Sequence, residues 1–218
     1  MHIYTPTKKI KWLLCVLLVS LSTPLFAQIE TNNWYFGKNA GLDFNDNLVT
    51  VLDNGVMDTP AGCSSISDKD GNLLFYTNGQ TVWNKNHQLM QNGTQLITNI
   101  DTPQTSIIIP KPGNENVYYI FTTMETYETE PFVMGPGVYY SEVTFSPEFP
   151  LGKVTINSQR IYITTSSKIT AIHHAESNTI RVIAFGRTDN ETPLKPRNTF
   201  YVFNVTTDGV QTPPATVK

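Results

Sequence analysis

Asp68-Lys69-Asp70-Gly71-Asn72-Leu73-Leu74-Phe75-Tyr76-Thr77-Asn78-Gly79 is the stretch that decides the fold. A tight polar turn feeds a short aromatic-aliphatic strand, which ends at a second turn, Asn78-Gly79. Asp-Gly and Asn-Gly between apolar runs are strong short-range hairpin signals, because such turns need positive φ. The theme recurs twice. Thr105–Tyr119 carries an apolar run and the turn Lys111-Pro112-Gly113-Asn114-Glu115-Asn116, with Val117-Tyr118-Tyr119-Ile120-Phe121 following it. Ile169–Phe185 carries an apolar run, the turn Glu176-Ser177-Asn178, then Thr179-Ile180-Arg181-Val182-Ile183-Ala184-Phe185. Repeated strand–turn–strand units at this interval predict β-propeller blades or a similar array.

Working outward, helical periodicity is missing after the N-terminus, and short runs rich in Val, Ile, Thr, Tyr and Phe alternate with Gly, Asn, Asp and Pro. That pattern is all-β. The first unit reads as Cys63–Ser67, Leu73–Thr77 and Gln80–Trp83, with His87–Met90 as its outer strand. The second reads as Ser106–Pro110, Val117–Thr122, Val138–Thr144 and Val154–Ile163. The third reads as Ile169–Ala175, Thr179–Phe185 and Thr199–Val205, and its outer strand has to lie beyond Thr207-Asp208-Gly209. Trp34–Phe36 and Gly41–Phe44 form a strand pair ahead of them. Leu73, Phe75, Val117, Tyr119, Ile180 and Val182 fall on equivalent central strands. Met124–Gly137 and Arg187–Asn198 read as surface loops. The turns at Asp70-Gly71, Gly113-Asn114 and Ser177-Asn178 lie 43 and 64 residues apart, and Glu142–Ser167 accounts for the longer interval.

The expectation is therefore an all-β, propeller-like array of three to four antiparallel blades, incomplete as a propeller. Closure into a compact four-bladed ring would require Trp34–Phe44 to pair with the last blade. An array that stays open leaves strand edges and apolar faces in water, and self-association follows.

The N-terminus reads as a secretory signal, residues 1–27, leaving residues 28–218 as the propeller-like domain. Lys8, Lys9 and Lys11 precede the apolar run Trp12–Leu21, and Ala27 offers the small residue before cleavage at Gln28. The run is short for a membrane span. Leu14 before Cys15 does not suit a lipoprotein. Cleavage removes three lysines and no acids, so the mature net charge is 12 − 18, or −6. An acidic chain with scattered lysines lacks the basic patch that nucleic acid requires. Cys63 is then the sole mature cysteine, in a run of small residues. It suits a packed side chain better than a nucleophile, since no local His activates it.

No motif assigns a catalytic, metal or cofactor site. An EF-hand loop starting at Asp68 would need Gly sixth and Glu twelfth; here Gly71 is fourth and Gly79 twelfth. The aspartate box of sialidase propellers needs Asp two residues before its Gly, where Lys69 stands, and the chain has only Arg160, Arg181, Arg187 and Arg197 to hold a carboxylate. His173 and His174 are adjacent on a predicted strand and so point to opposite faces, which ill suits one metal. The pairs Tyr118-Tyr119, Tyr139-Tyr140 and Phe200-Tyr201 read as packing between blades. A central channel near the Ser106 and His174 strands is the place to expect a ligand.

Asn33-Trp34-Tyr35-Phe36-Gly37 with Ala40–Phe44, the stretch Asp70–Gly79 with Val82-Trp83-Asn84, Gln104-Thr105-Ser106, and Ile169–Ala175 together carry a family resemblance. The region of roughly residues 32–210 resembles the N-terminal propeller-like part of large secreted proteins of gliding Bacteroidetes. Those proteins are typically exported by the type IX system and end in a gliding-motility-associated sorting domain. Residues 1–218 include no such sorting domain, so the expectation is a truncated version of that arrangement. The resemblance implies a secreted or outer-cell-surface, non-enzymatic interaction or structural module, whose partner is a surface protein or a polysaccharide. It carries over no catalytic residues. The alternatives from other classes are a secreted propeller hydrolase or lyase acting on polysaccharide, and a truncated product without a stable function.

Overall fold

The computed structural model describes residues 29–46, 48–104, 106–125, 135–163, 166–174, 177–186 and 198–217. The signal segment therefore lies outside the described residues, as do most of Met124–Gly137 and nearly all of Arg187–Asn198. The described chain is all-β, apart from a single 3₁₀ turn at Ile29–Thr31. No helix among the described residues is long and apolar enough to cross a membrane.

Among the described residues fifteen strands form four antiparallel sheets, none of them closed. The first sheet is β1 (Asn33–Phe36), β2 (Ala40–Asp43) and β3 (Thr50–Leu52). The second is β4 (Ser64–Ser67), β5 (Leu73–Thr77) and β6 (Val82–Asn84). The third is β7 (Ser106–Lys111), β8 (Asn114–Met124), β9 (Gly137–Thr144) and β10 (Lys153–Tyr162). The fourth is β11 (Ile169–His173), β12 (Ile180–Gly186), β13 (Thr199–Thr206), β14 (Gly209–Val210) and β15 (Ala215–Val217). The first three sheets are meanders in chain order, as is the fourth up to β13. The first strands lie side by side: β1 packs on β4, β4 on β7, and β7 on β11.

The turn chemistry works as the sequence implies. Asp68 Oδ1 accepts hydrogen bonds from the backbone N–H groups of Asp70 and Asn72 at 2.9 and 2.8 Å, and Gly71 takes φ +85° between them. A Cβ at position 71 would stand 1.9 Å from Asn45 Oδ1, so the Asn45 side chain would have to move, and the positive φ itself favours glycine. The central strands β5, β8 and β12 hold the expected core. Phe75, Tyr119, Ile180 and Val182 are buried, and Leu73 is half-buried. Burying each such side chain contributes about 1.5–3 kcal/mol.

Three apolar clusters fill the joints between sheets. Tyr35, Met57 and Tyr76 fill the joint of the first and second sheets. There the Tyr35 ring stacks on Tyr76 at 4.6 Å, and Tyr76 on Trp83 at 5.5 Å. Phe75, Val82, Tyr118, Ile120 and Val143 join the second and third sheets. Tyr119, Phe121, Val182, Tyr201 and Phe203 join the third and fourth. Tyr118 and Tyr119 thus point to opposite joints, as strand alternation dictates. Tyr139 and Tyr201 are also buried, whereas Phe200 is exposed.

Three expectations need correction. Trp34–Phe44 does not reach the last sheet; β2 pairs with β3, which makes a separate first sheet. The outer strand of the final unit lies beyond Thr207-Asp208-Gly209 as expected: β15 pairs with β13 in register Phe200↔Val217 to Val202↔Ala215. Pro213-Pro214 lies in the bend that brings β15 back. His87–Met90 is not a strand: His87 sits in a turn at φ 61°, and only the single bridge Trp83↔Leu89 forms there. Asn84 Oδ1 captures the N–H groups of Asn86 and Gln88, which turns the chain instead of extending it. Finally, Val82–Asn84 replaces Gln80–Trp83, because Asn78 Oδ1 holds the N–H groups of Gln80 and Thr81 in the preceding turn.

Candidate functional site

Polar side chains fasten each joint along its inner strands. Asn33 Nδ2 donates to Ser67 Oγ at 3.0 Å and to the Gly71 carbonyl at 2.6 Å, while Ser65 Oγ donates to the Asn33 carbonyl at 2.7 Å. One joint further, Ser64 Oγ donates to the Ser106 carbonyl at 2.8 Å and lies 3.0 Å from Ser106 Oγ. At the third joint Gln104 spans to β11, donating through Nε2 to the Ile169 carbonyl and accepting the Ile169 N–H on Oε1. The small hydroxyls and amides in Ser64–Ser67 and Gln104–Ser106 are therefore joint fasteners. Sequence spacing alone gave no sign of that role, since each partner lies 32 to 65 residues away.

Held this way, the inner strands β4, β7 and β11 border a cavity of ≈ 630 Å³. Its wall is apolar: Ile107, Ile108 and Ile109 from β7, Ile172 from β11 and Ile180 from β12. Its rim is charged. Asp68, Lys69 and Asp70 come from the β4–β5 turn, Glu115 from the start of β8, Glu30 from the N-terminal turn and His173 from the end of β11. Lys69 Nζ lies 4.0 Å from Glu115 Oε2, on a well-exposed surface, so this pair adds little stability.

Tyr118 forms part of the wall and is buried between Phe75 and Phe145, with ring distances of 5.7 and 5.9 Å. Burial pushes its phenol up to about 12, and the nearby carboxylates Asp68, Glu115 and Glu30 push in the same direction. At neutral pH it is therefore a neutral hydroxyl, able to donate and accept, set among three negative charges.

The expected channel residues divide. The strands of Ser106 and His174 do border the cavity, through residues 107–110 and 171–173. Ser106 itself is buried in the Ser64 fastening. His173 reaches the rim, while His174 lies in the following turn with its Nδ1 3.0 Å from Ser177 Oγ. The two histidines do not converge. Among the described residues no three His, Cys, Asp or Glu side chains gather closely enough to hold a metal ion. Cys63 packs beside the Tyr35–Met57–Tyr76 cluster. Burial raises its thiol pKa, with a backbone hydrogen bond involving Gly37 acting the other way, so the neutral thiol is favoured.

The chain matches no protein-family model, no curated protein and no solved structure.

Proposed function

We propose that this chain is a secreted or outer-surface interaction module of the β-propeller type, built to bind and not to turn over. The observation that carries the reading is the meander order of the sheets, with first strands β1, β4, β7 and β11 side by side and a ligand-sized cavity along β4, β7 and β11. Radially arranged meanders with the first strand innermost are the propeller plan. Ligand cavities of about 300–1,000 Å³ with apolar walls and a few polar groups are typical binding sites. The resemblance to the N-terminal region of gliding-bacterial surface proteins, and the signal-like residues 1–27, support export and a surface role.

The test is a panel of cell-surface polysaccharides and surface-protein extracts incubated with purified residues 28–218. Binding is followed by calorimetry, and turnover by new reducing ends or unsaturated sugar products. The expected result is binding without product. Sustained product formation, lost in Asp68→Asn or Glu115→Gln, would replace this reading with the polysaccharide hydrolase or lyase. N-terminal sequencing of the extracytoplasmic protein is expected to begin at Gln28; a mature chain retaining Trp12–Leu21 overturns the export reading.

A further inference from the structure

The two outermost sheet faces differ from the rest of the molecular surface. Apart from Leu89 and Ile163, the exposed large apolar side chains among the described residues belong to the first and last sheets or to the loops beside β3. The first sheet exposes Trp34, Phe36 and Val51, and the last exposes Ile172, Phe200 and Val217. Each set shares one face. Trp34 pairs with Leu42, and Leu42 with Val51. Phe200 pairs with Val217 and Phe185, on the face that also holds Ile183, Arg181 and Ile172. On the last sheet a groove of ≈ 340 Å³ runs between Lys168, Thr170, Ile183, Phe185 and Phe200. Contiguous exposed apolar patches mark interaction surfaces.

The internal joints show which faces fit one another. At each joint one sheet contributes its forward face, and the next sheet along the chain its backward face. Tyr35 meets Tyr76 across the first joint and Phe75 meets Tyr118 across the second, while Tyr119 and Tyr201 share the third. None of the three joints brings like faces together. Trp34 lies on the backward face of the first sheet and Phe200 on the forward face of the last, so the two bare faces are of opposite kinds. Their charges are opposite as well. Residues 29–58 carry Glu30, Asp43, Asp46, Asp53 and Asp58 against Lys38, and Asp53 directly follows β3. The bare face of the last sheet carries Arg181, in register with Ile172, and Lys168 at its groove. Both cations are exposed, and neither forms an ion pair among the described residues.

Resting on the propeller plan proposed above, and not on the ligand reading, we infer that two copies of this chain close into a ring. The last sheet of each copy packs on the first sheet of the other. Trp34 of one copy seats in the groove beside Phe200 of the other, where the Lys168 ammonium gains a cation–π partner. Arg181 faces the acidic first sheet, which fixes the pairing by charge. Head-to-tail contacts of this type either close into a ring or run on as a filament. Four sheets from each copy make eight, within the four to eight blades that propellers typically hold. A joint only three strands wide on one side buries little area, whereas stable interfaces need about 1,200–2,000 Å². The ring forms two identical joints at once and covers all four bare faces, whereas a like-with-like pair leaves two of them in water.

The experiment is sedimentation velocity on residues 28–218, which hold every described residue, from submicromolar to high micromolar concentration. The expected result is a monomer passing to a dimer, with nothing larger. Trp34→Asn and Phe200→Asn each remove an anchor from both joints. Each alone should raise the dimer dissociation constant about 100-fold, at about 10-fold per joint. Mixing the two variants is the decisive arm. A mixed pair holds one joint with both changes and one joint with neither. Because Trp34 and Phe200 meet in the same joint, their losses there are not additive. The mixture should therefore associate about 10-fold more tightly than either variant alone. Arg181→Glu should weaken association about 10-fold, and less so at high salt. Circular dichroism at the lowest concentration should show every variant folded, which separates loss of the dimer from loss of the fold. A monomer at every concentration, or a ladder of larger species, overturns the ring. So does a dimer that either single change leaves intact, or a mixture no tighter than its components. The ligand reading fails or stands separately, by the calorimetry described above on the same chain.

Discussion

Adjacent residues on one strand tell the inner sheets from the outer ones. On β5, Phe75 and Tyr76 point to opposite faces and both are 0% exposed. On β8, Tyr118 and Tyr119 behave alike. On β1, Tyr35 is buried while Trp34 is 50% exposed, and on β13, Tyr201 is buried while Phe200 is 48% exposed. The outer sheets are nevertheless apolar on their bare faces. The first presents the cross-strand row Trp34–Leu42–Val51, and the last the row Phe185–Phe200–Val217. A sheet with water on one face normally alternates apolar with polar. The outer sheets here have the composition of sandwiched sheets without the second neighbour. The lesson is that alternation in sequence reports how a strand is built, and only packing decides whether both faces are covered.

The largest expected effect separates the two classes by stability. Phe75→Ala should cost about 3–5 kcal/mol, as truncation of a fully buried aromatic does. Phe200→Ala, half in water, should cost under about 1 kcal/mol. Chemical denaturation of both variants makes the comparison, and equal losses would place Phe200 inside a covered joint. Next comes Gly71→Ala, expected to cost about 1–3 kcal/mol through its positive φ and the collision with Asn45. Because the Gly71 carbonyl receives Asn33 Nδ2, this change should loosen the first joint selectively, and hydrogen exchange should rise in β1–β3 before β7–β10.

The bare faces give the third prediction. Residues 28–218 should self-associate in sedimentation velocity, and the double change Trp34→Asn with Phe200→Asn should shift the population toward monomer without a matching loss of Tm. A monomer before any substitution would mean that the exposed rows are tolerated singly.

Smaller still is the alkaline limb. Tyr118 and Tyr119 of β8 and Tyr162 of β10 are all pushed up to about 12, chiefly by burial. Above pH 10 the unfolded chain releases these protons while the folded chain keeps them. Their contribution is therefore whole below pH 10 and is lost as pH rises through about 12. A Tm that falls across this window, with tyrosinate absorbance appearing only on unfolding, shows that buried tyrosines carry the effect. His87 acts in the opposite direction. Burial lowers its pKa, so the unfolded state takes up a proton first, and stability should decline modestly as pH falls below 6.5. The His87→Gln variant should flatten that acid limb.

Much of the fold was legible because its signals are local. Asp70-Gly71 announces a turn through φ, and Val117–Phe121 announces a strand through its β-branched and aromatic side chains. The failures have physical reasons too. His87–Met90 has strand-like neighbours, but the Asn84 side chain diverts the backbone into a turn. Ala215–Val217 is short and follows two prolines, so nothing local marks it as a partner of β13. The site was less legible. The strands of Ser106 and His174 border the cavity, but the burial of Tyr118 depends on what surrounds it, and Gln104 acts on a carbonyl 65 residues away. Such relations belong to the packed state and leave no periodicity behind.

The joints fastened by Asn33, Ser64 and Gln104 have a further consequence for how damage spreads. Each sheet is drawn from one continuous stretch of chain, and each fastener reaches only the next sheet. The molecule therefore behaves as a short one-dimensional array, whose stability is a sum of unit terms and nearest-neighbour terms. A lesion at one joint lowers the cost of opening that joint and of shedding the units beyond it, and leaves the remaining couplings at full strength. Fraying should thus start at the two outer units and move inward, with β4–β6 and β7–β10 as the last pair to separate.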